Sequence, residues 1–121
     1  MESTAPKNIT ISKRADEICQ SLKEAGLVDD AKSAYKLAIA VALNRSLKID
    51  RTIQFDFGNK WDTSAVFFDR DSNLEPLLLL HKISPDELVT EGKYLAEAGL
   101  RYIEEKRIGN MDLIAEFGGF N

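Results

Sequence analysis

Apolar and polar positions in the first quarter of the chain follow two successive rhythms. Residues 8–12 alternate, with Ile9 and Ile11 on one side and Asn8, Thr10 and Ser12 on the other. That period of two predicts a short, half-buried strand. From Ser12, a suitable helix cap, the rhythm changes: Ala15, Ile18, Leu22 and Ala25 recur at steps of three and four. This predicts a helix with one apolar stripe, closed by Gly26 in a left-handed cap.

A second helix is predicted from Ala31 to Arg45, capped by Asp29 or Asp30. Its segment Leu37 to Leu43 (LAIAVAL) is apolar on every face, so it must be surrounded, within one chain or in an oligomer. The first helix, with its narrow stripe, cannot cover it alone.

The middle of the chain alternates again. In RTIQFDFGNKW, Ile53, Phe55 and Phe57 fall on one side and Gly58-Asn59 signals a turn, which predicts a strand ending there. The next segment, DTSAVFF, fits either a second strand or a short helix capped by Asp62.

Helical signals dominate the last third. SNLE (Ser72 to Glu75) and SPDE (Ser84 to Glu87) both have the capping-box pattern, with Pro76 and Pro85 at early helix positions. The first box starts a short helix carrying Leu77 to Leu80. The second starts a long helix from Pro85 to Arg107, on which Leu88, Gly92, Leu95, Ala96, Gly99, Tyr102 and Ile103 form one stripe. Glycine costs a helix interior about 1 kcal/mol relative to alanine, so Gly92 and Gly99 point to a close neighbouring helix. Gly109 ends this helix, and MDLIAEF adds a short last one before GGFN.

The fold class expected is α+β, mostly α: an N-terminal strand with two helices, an irregular β-like middle, and C-terminal helices. A single domain spans 1–121, with residues 1–7 a loose tail, 8–46 a strand-helix-helix part and 47–121 a helical extension. A chain of 121 residues can bury a real core without disulfides or metals. It has one cysteine, no apolar run near the roughly 18 residues of a membrane span, and an N-terminus (MESTAPK) without a signal-peptide pattern. The expectation is a cytoplasmic protein with no membrane partner.

Charge divides the chain unevenly within a net −4. Residues 1–51 carry 9 Lys and Arg against 7 Asp and Glu, while residues 52–121 carry 7 against 13. Only the N-terminal part has a charge suited to an anionic partner.

Candidate chemistry is sparse. His81 and Cys19 are the only residues of their types, and each has a structural reading: a helix C-terminus for His81, a core filler for Cys19. No phosphate-cradling glycine loop precedes a helix, and the Asp69 to Asp71 stretch (DRD) lacks the calcium-loop pattern. The chain is expected to be non-enzymatic, with no catalytic residue, metal ligand or cofactor.

The run NITIS, then KRADEICQSLKEAG, then AKSAYKLAIAVALNR resembles the ribbon-helix-helix proteins over about the first 45 residues. In that family, paired strands of two chains enter the DNA major groove. The resemblance implies that Asn8, Thr10 and Ser12 face the groove, that Lys7, Lys13 and Arg14 contact phosphates, and that Ile9 and Ile11 lie beneath the ribbon. It also implies a homodimer. Asp29 and Asp30 stand where such proteins approach a phosphate with the second helix, and their charge repels one. A strand and helix that simply complete a core are the alternative.

A second resemblance runs along the whole chain. ADEICQSLKEAGLVDDAKSAYKLAIAVAL, an aromatic-bearing middle, LLLLH and EGKYLAEAGLRYIEE are similar to small proteins encoded beside bacterial DNA phosphorothioation (Dnd) systems. Tyr94, Ala96, Gly99 and Leu100 approximate that group's late-helix pattern, with Leu95 intervening. The resemblance implies an accessory role in a DNA-modification or phage-defence locus.

The functional expectation is a small self-associating protein acting on or beside duplex DNA, with other proteins of its locus as partners. The alternative is an assembly subunit without DNA contact.

Overall fold

Helix α1 (Lys13–Glu24) begins where Ser12 accepts a hydrogen bond from the Ala15 amide at 2.9 Å, and it buries Ala15, Ile18, Cys19 and Leu22. Gly26, at φ 75°, turns the chain away at its end. Helix α2 (Ala31–Asn44) starts at Asp30, whose carboxylate accepts from the Ser33 amide at 2.8 Å. The computed structural model describes residues 7–68 and 74–108. The fold is mostly helical, with a small antiparallel sheet of two strands and five α-helices among the described residues.

Strand β1 (Asn8–Ile11) pairs antiparallel with β2 (Asn59–Asp62) of the same chain, Asn8 opposite Asp62, Ile9 opposite Trp61 and Thr10 opposite Lys60. This corrects one expectation drawn from the ribbon-helix-helix likeness. Here the second strand of the ribbon comes from within the polypeptide, where that family draws it from a twin. Opposed residues share a face. Ile9, Ile11 and Trp61 are buried on the inner face, while Asn8, Lys60 and Asp62 are exposed on the outer one.

The strand predicted over Ile53 to Phe57 does not form, and pairing begins at Asn59, where the turn was expected. Its apolar residues do not share one side. Phe55 leans on α5 (Leu88–Ile108), its ring centroid 5.2 Å from that of Tyr94, whereas Phe57 has φ 56° and faces solvent. Positive φ at Phe57 breaks the extended run. Of the two options for DTSAVFF, the helix is the one observed: α3 (Thr63–Phe67), with Asp62 at its cap position but making no capping bond.

Helix α4 (Leu74–Leu80) carries the leucine run, burying Leu74 and Leu78 and exposing Leu79 and Leu80. The long helix follows a short 3-10 turn, Pro85–Glu87, with Ser84 before it making no side-chain cap. Ser72, the Asp69 to Asp71 stretch, Gly109 and the MDLIAEF and GGFN segments lie outside the described residues, as do residues 1–6 of the expected tail.

Helix α2 is the apolar axis of the core and packs most extensively along α5, with α1 also against it. The predicted stripe of α5 is the buried one: Leu88, Gly92, Leu95, Ala96, Gly99 and Ile103 are buried and Tyr102 is half-buried. The two glycines have different neighbours. Gly99 marks the helix crossing, since a Cβ there would lie 2.0 Å from the Ala38 carbonyl oxygen of α2. Gly92 faces the Phe67 ring of α3. Tyr35 fills the space between α2 and the ribbon, its ring edge-on to Trp61 and Phe67 at 5.3 and 6.4 Å between centroids.

Candidate functional site

Ser12 fastens the ribbon to the helical core. Ser12 ends β1 and caps α1, and its hydroxyl also donates to Glu97 Oε1 at 2.6 Å while its amide donates to Oε2 at 3.2 Å. Glu97 lies on α5 and is fully buried. Arg101, one turn on, donates from Nη1 to Glu97 Oε1 at 2.6 Å. A buried charge persists when its lone pairs are engaged, and this carboxylate has three donors. Two elements far apart in sequence, the start of α1 and the middle of α5, are thereby held in register.

A second fastening lies beside the first. Asp56 Oδ1 accepts from the Lys13 amide at 2.7 Å, which holds the Asp56 carboxyl below its ordinary range. The Gly58 amide donates to the Ile11 carbonyl at 2.8 Å, and a Cβ on Gly58 would sit 2.2 Å from the Ser12 oxygen. Only glycine lets the two backbones meet there. Asn59 Nδ2 adds a bond to Asp16 Oδ1 at 3.0 Å.

What these fastenings present to solvent is the outer face of the ribbon. Asn8 is exposed and Thr10 half-exposed on that face, and Lys7 and Lys13, which flank the strand, are exposed. Ser12 and Arg14, the other two residues expected to meet DNA, do not belong to it. Ser12 is buried, because its hydroxyl and amide both bind Glu97. Arg14 is half-exposed but neutralised: its guanidinium pairs with Glu104 and lies 3.7 Å from Glu17. Arg14, Arg101, Glu104 and Glu105 line a recess of about 220 Å³ in which the charges balance.

The pairing adds residues that the sequence reading missed. Lys60 joins the face because it opposes Thr10, and Asp62 because it opposes Asn8; nothing local in the sequence reveals a partner about fifty residues away. Phe57, two residues before β2, is 70% exposed. Glu97 and Arg101 were also missed, although their spacing of four on a predicted helix is a legible ion-pair signal.

At the second helix, Asp30 behaves as a helix cap. Its carboxyl is held below the ordinary range chiefly by the Ser33 amide, with Lys32 and Lys36 assisting. A carboxylate at that position keeps a negative charge where the ribbon-helix-helix pattern has a phosphate contact.

The remaining reactive groups are separated. Cys19 is buried in α1, and burial, then the charges of Asp16 and Glu97, push its thiol up to about 12. His81 is exposed beyond α4. Among the described residues, no group of three His, Cys, Asp or Glu is placed to hold a metal ion, and no helix is long and apolar enough to cross a membrane.

The class that these features define is a small, mostly helical α+β protein with an intramolecular two-stranded ribbon locked onto its core. No protein-family model, curated protein or solved structure matches the chain.

Proposed function

We propose that the protein is a non-enzymatic binding protein of a DNA-related system, and that the outer face of its ribbon is the contact surface. In this reading it is a DNA-binding regulator or an accessory factor of a bacterial DNA-modification or phage-defence locus. The observation that carries it is the ribbon itself: two antiparallel strands backed by the helical core, with Lys60 exposed on the outer face and Lys7 and Lys13 exposed at the two ends of β1.

A two-stranded ribbon fits the width of a DNA major groove. Thr10 and Asn8 offer hydrogen-bonding groups to base edges, and lysines at the rim offer charge to phosphates. Asp62, on the same face, suits the amino group of cytosine. The likeness to proteins encoded beside phosphorothioation systems supports the same context.

Adding a short duplex to isotope-labelled protein and following backbone amides by NMR tests this reading. Shifts are expected to cluster at residues 7–13 and 56–62. Shifts confined to α4, or none at low salt, would remove the ribbon from the contact surface.

A specific feature favours the second reading, an assembly subunit without DNA contact. Leu79 and Leu80 are 41% and 77% exposed at the end of α4. In that reading they carry self-association or a contact with another protein of the locus. Sedimentation of the wild type beside Leu80→Lys separates it: loss of a larger species in the variant supports an α4 contact.

A further inference from the structure

We propose that residues 48–55, in the connection between α2 and β2, form a strap that opens from α5 as a unit, with the Arg51–Glu91 ion pair as its clasp.

The connection is tied at its ends and loose between them. The Leu47 amide donates to the Ala42 carbonyl at 3.0 Å, and the Asp56 carboxylate accepts from the Lys13 amide. Among the described residues, the backbone-to-backbone hydrogen bond made between these ties is internal, from the Ile53 amide to the Asp50 carbonyl at 3.5 Å. No residue from 43 to 60 is fully buried, although Ala42 and Trp61 on either side are. A segment with few backbone bonds and little buried apolar surface opens at lower cost than the core around it.

Side chains hold the middle down. Arg51 donates from Nη1 and Nη2 to the Glu91 carboxylate of α5, each at 2.7 Å, and its guanidinium carbon lies 5.3 Å from the centre of the Tyr94 ring. Phe55 meets the same Tyr94 ring, and the Lys93 ammonium lies 4.1 Å from the centre of the Phe55 ring. The Arg51 side chain is 58% exposed, so water and salt reach the pair. An ion pair so placed is weak and is screened as salt rises.

Beneath the strap runs a second stripe of α5. Glu91, Tyr94, Ala98 and Tyr102 recur at steps of three and four beside the fully buried stripe, and all four are half-buried. Ile53 and Asp50 share a recess of about 270 Å³ with Ala98 and Tyr102. Ile53 and Phe55, whose alternation forms no strand, therefore both lie toward this stripe. The closed strap covers it and the open strap uncovers it, with ionic strength shifting the balance.

The test is limited proteolysis of the native full-length protein by trypsin, with cutting after Lys48 followed by mass spectrometry. Each rate is taken relative to an unfolded peptide of the same sequence. When the strap recloses faster than it is cut, this ratio reads the open population. Wild type is expected to be cut faster at high salt. At low salt, Glu91→Gln is expected to be cut about 1.5- to 5-fold faster than wild type. Arg51→Ala, which also loses the Tyr94 contact, is expected to be cut about 3- to 30-fold faster. Arg51→Glu combined with Glu91→Arg is expected to fall back toward wild type. Cutting after Lys23 in α1 and Lys36 in α2 is expected to stay at the wild-type rate throughout.

Equal rates after Lys48 in all these proteins, or a charge-swapped protein as fast as Arg51→Ala, overturns the clasp. A wild type cut as fast as the peptide overturns the closed strap. Equal acceleration after Lys23 and Lys36 overturns independent opening, because the molecule then opens as one.

Discussion

Glu97 brings a charge into the interior and has three donors waiting for it. Removing one partner of a buried ion pair is far more damaging than its net contribution suggests, because the other groups remain desolvated. Glu97→Ala would leave both buried donors of Ser12 unsatisfied while Arg101, 39% exposed, turns to water, and a loss of about 1–3 kcal/mol is expected in urea unfolding. A cost below about 1 kcal/mol would show that the ribbon is held by its apolar face alone. Cys19 supplies a second check at this scale. With its thiol pushed up to about 12 from 9.0, it stays protonated in the folded protein. The stability this contributes is complete below about pH 9, where the unfolded thiol is also protonated, and declines as pH rises from there towards about 12. A thiol reagent near neutral pH should therefore label Cys19 only as fast as the protein opens; immediate labelling of native protein would contradict its burial. The sequence marked Cys19 as core, from its place beside the stripe of α1. The pairing of Glu97 with Arg101 was legible from their spacing of four, but the burial of Glu97 was not, because a glutamate on a long helix reads as surface unless its distant partner, Ser12, is known.

At the scale of elements, the closest approach is between α2 and α5 at Gly99. The obstacle there is the Ala38 backbone, which cannot rotate aside as a side chain could. Gly99→Ala is expected to destabilise by about 1–3 kcal/mol, in spite of alanine's better helix propensity. A neutral or stabilising result in thermal unfolding would contradict that close approach. Helices were the most legible elements because their signals are local: the Ser12 and Asp30 caps, the Gly26 stop and the stripe of α5 all stand where the pattern puts them. The ribbon was only half legible. Asn8 to Ser12 reads as a strand, but its partner does not, since NKWD offers one buried residue, Trp61, and little alternation. The decoy at Ile53 to Phe57 has the better pattern. It fails because Phe55 serves α5 while Phe57 is turned outward, a tertiary decision invisible to local periodicity.

For the molecule as a whole, net charge −4 means that a DNA contact needs a locally basic face, and the proposal places that face at the ribbon. Of the six residues that the sequence offered, the fold keeps Lys7, Asn8, Thr10 and Lys13 accessible, assigns Ser12 and Arg14 to internal pairs, and brings in Lys60. Lys60 enters because the second strand comes from within the chain, while Ser12 and Arg14 leave because α5 supplies Glu97 and Glu104, neither of which a local signal discloses. Each phosphate contact adds about 0.9 to the dependence of log binding constant on log salt for duplex DNA. The most direct measurement is that salt dependence, taken by anisotropy with duplex DNA for wild type and for a Lys7→Ala, Lys13→Ala, Lys60→Ala variant. The account predicts binding at low salt that weakens as salt rises, with the slope reduced by about 2–3 in the triple variant. Wild type that binds no duplex at low salt, or an unchanged slope in the variant, would contradict it.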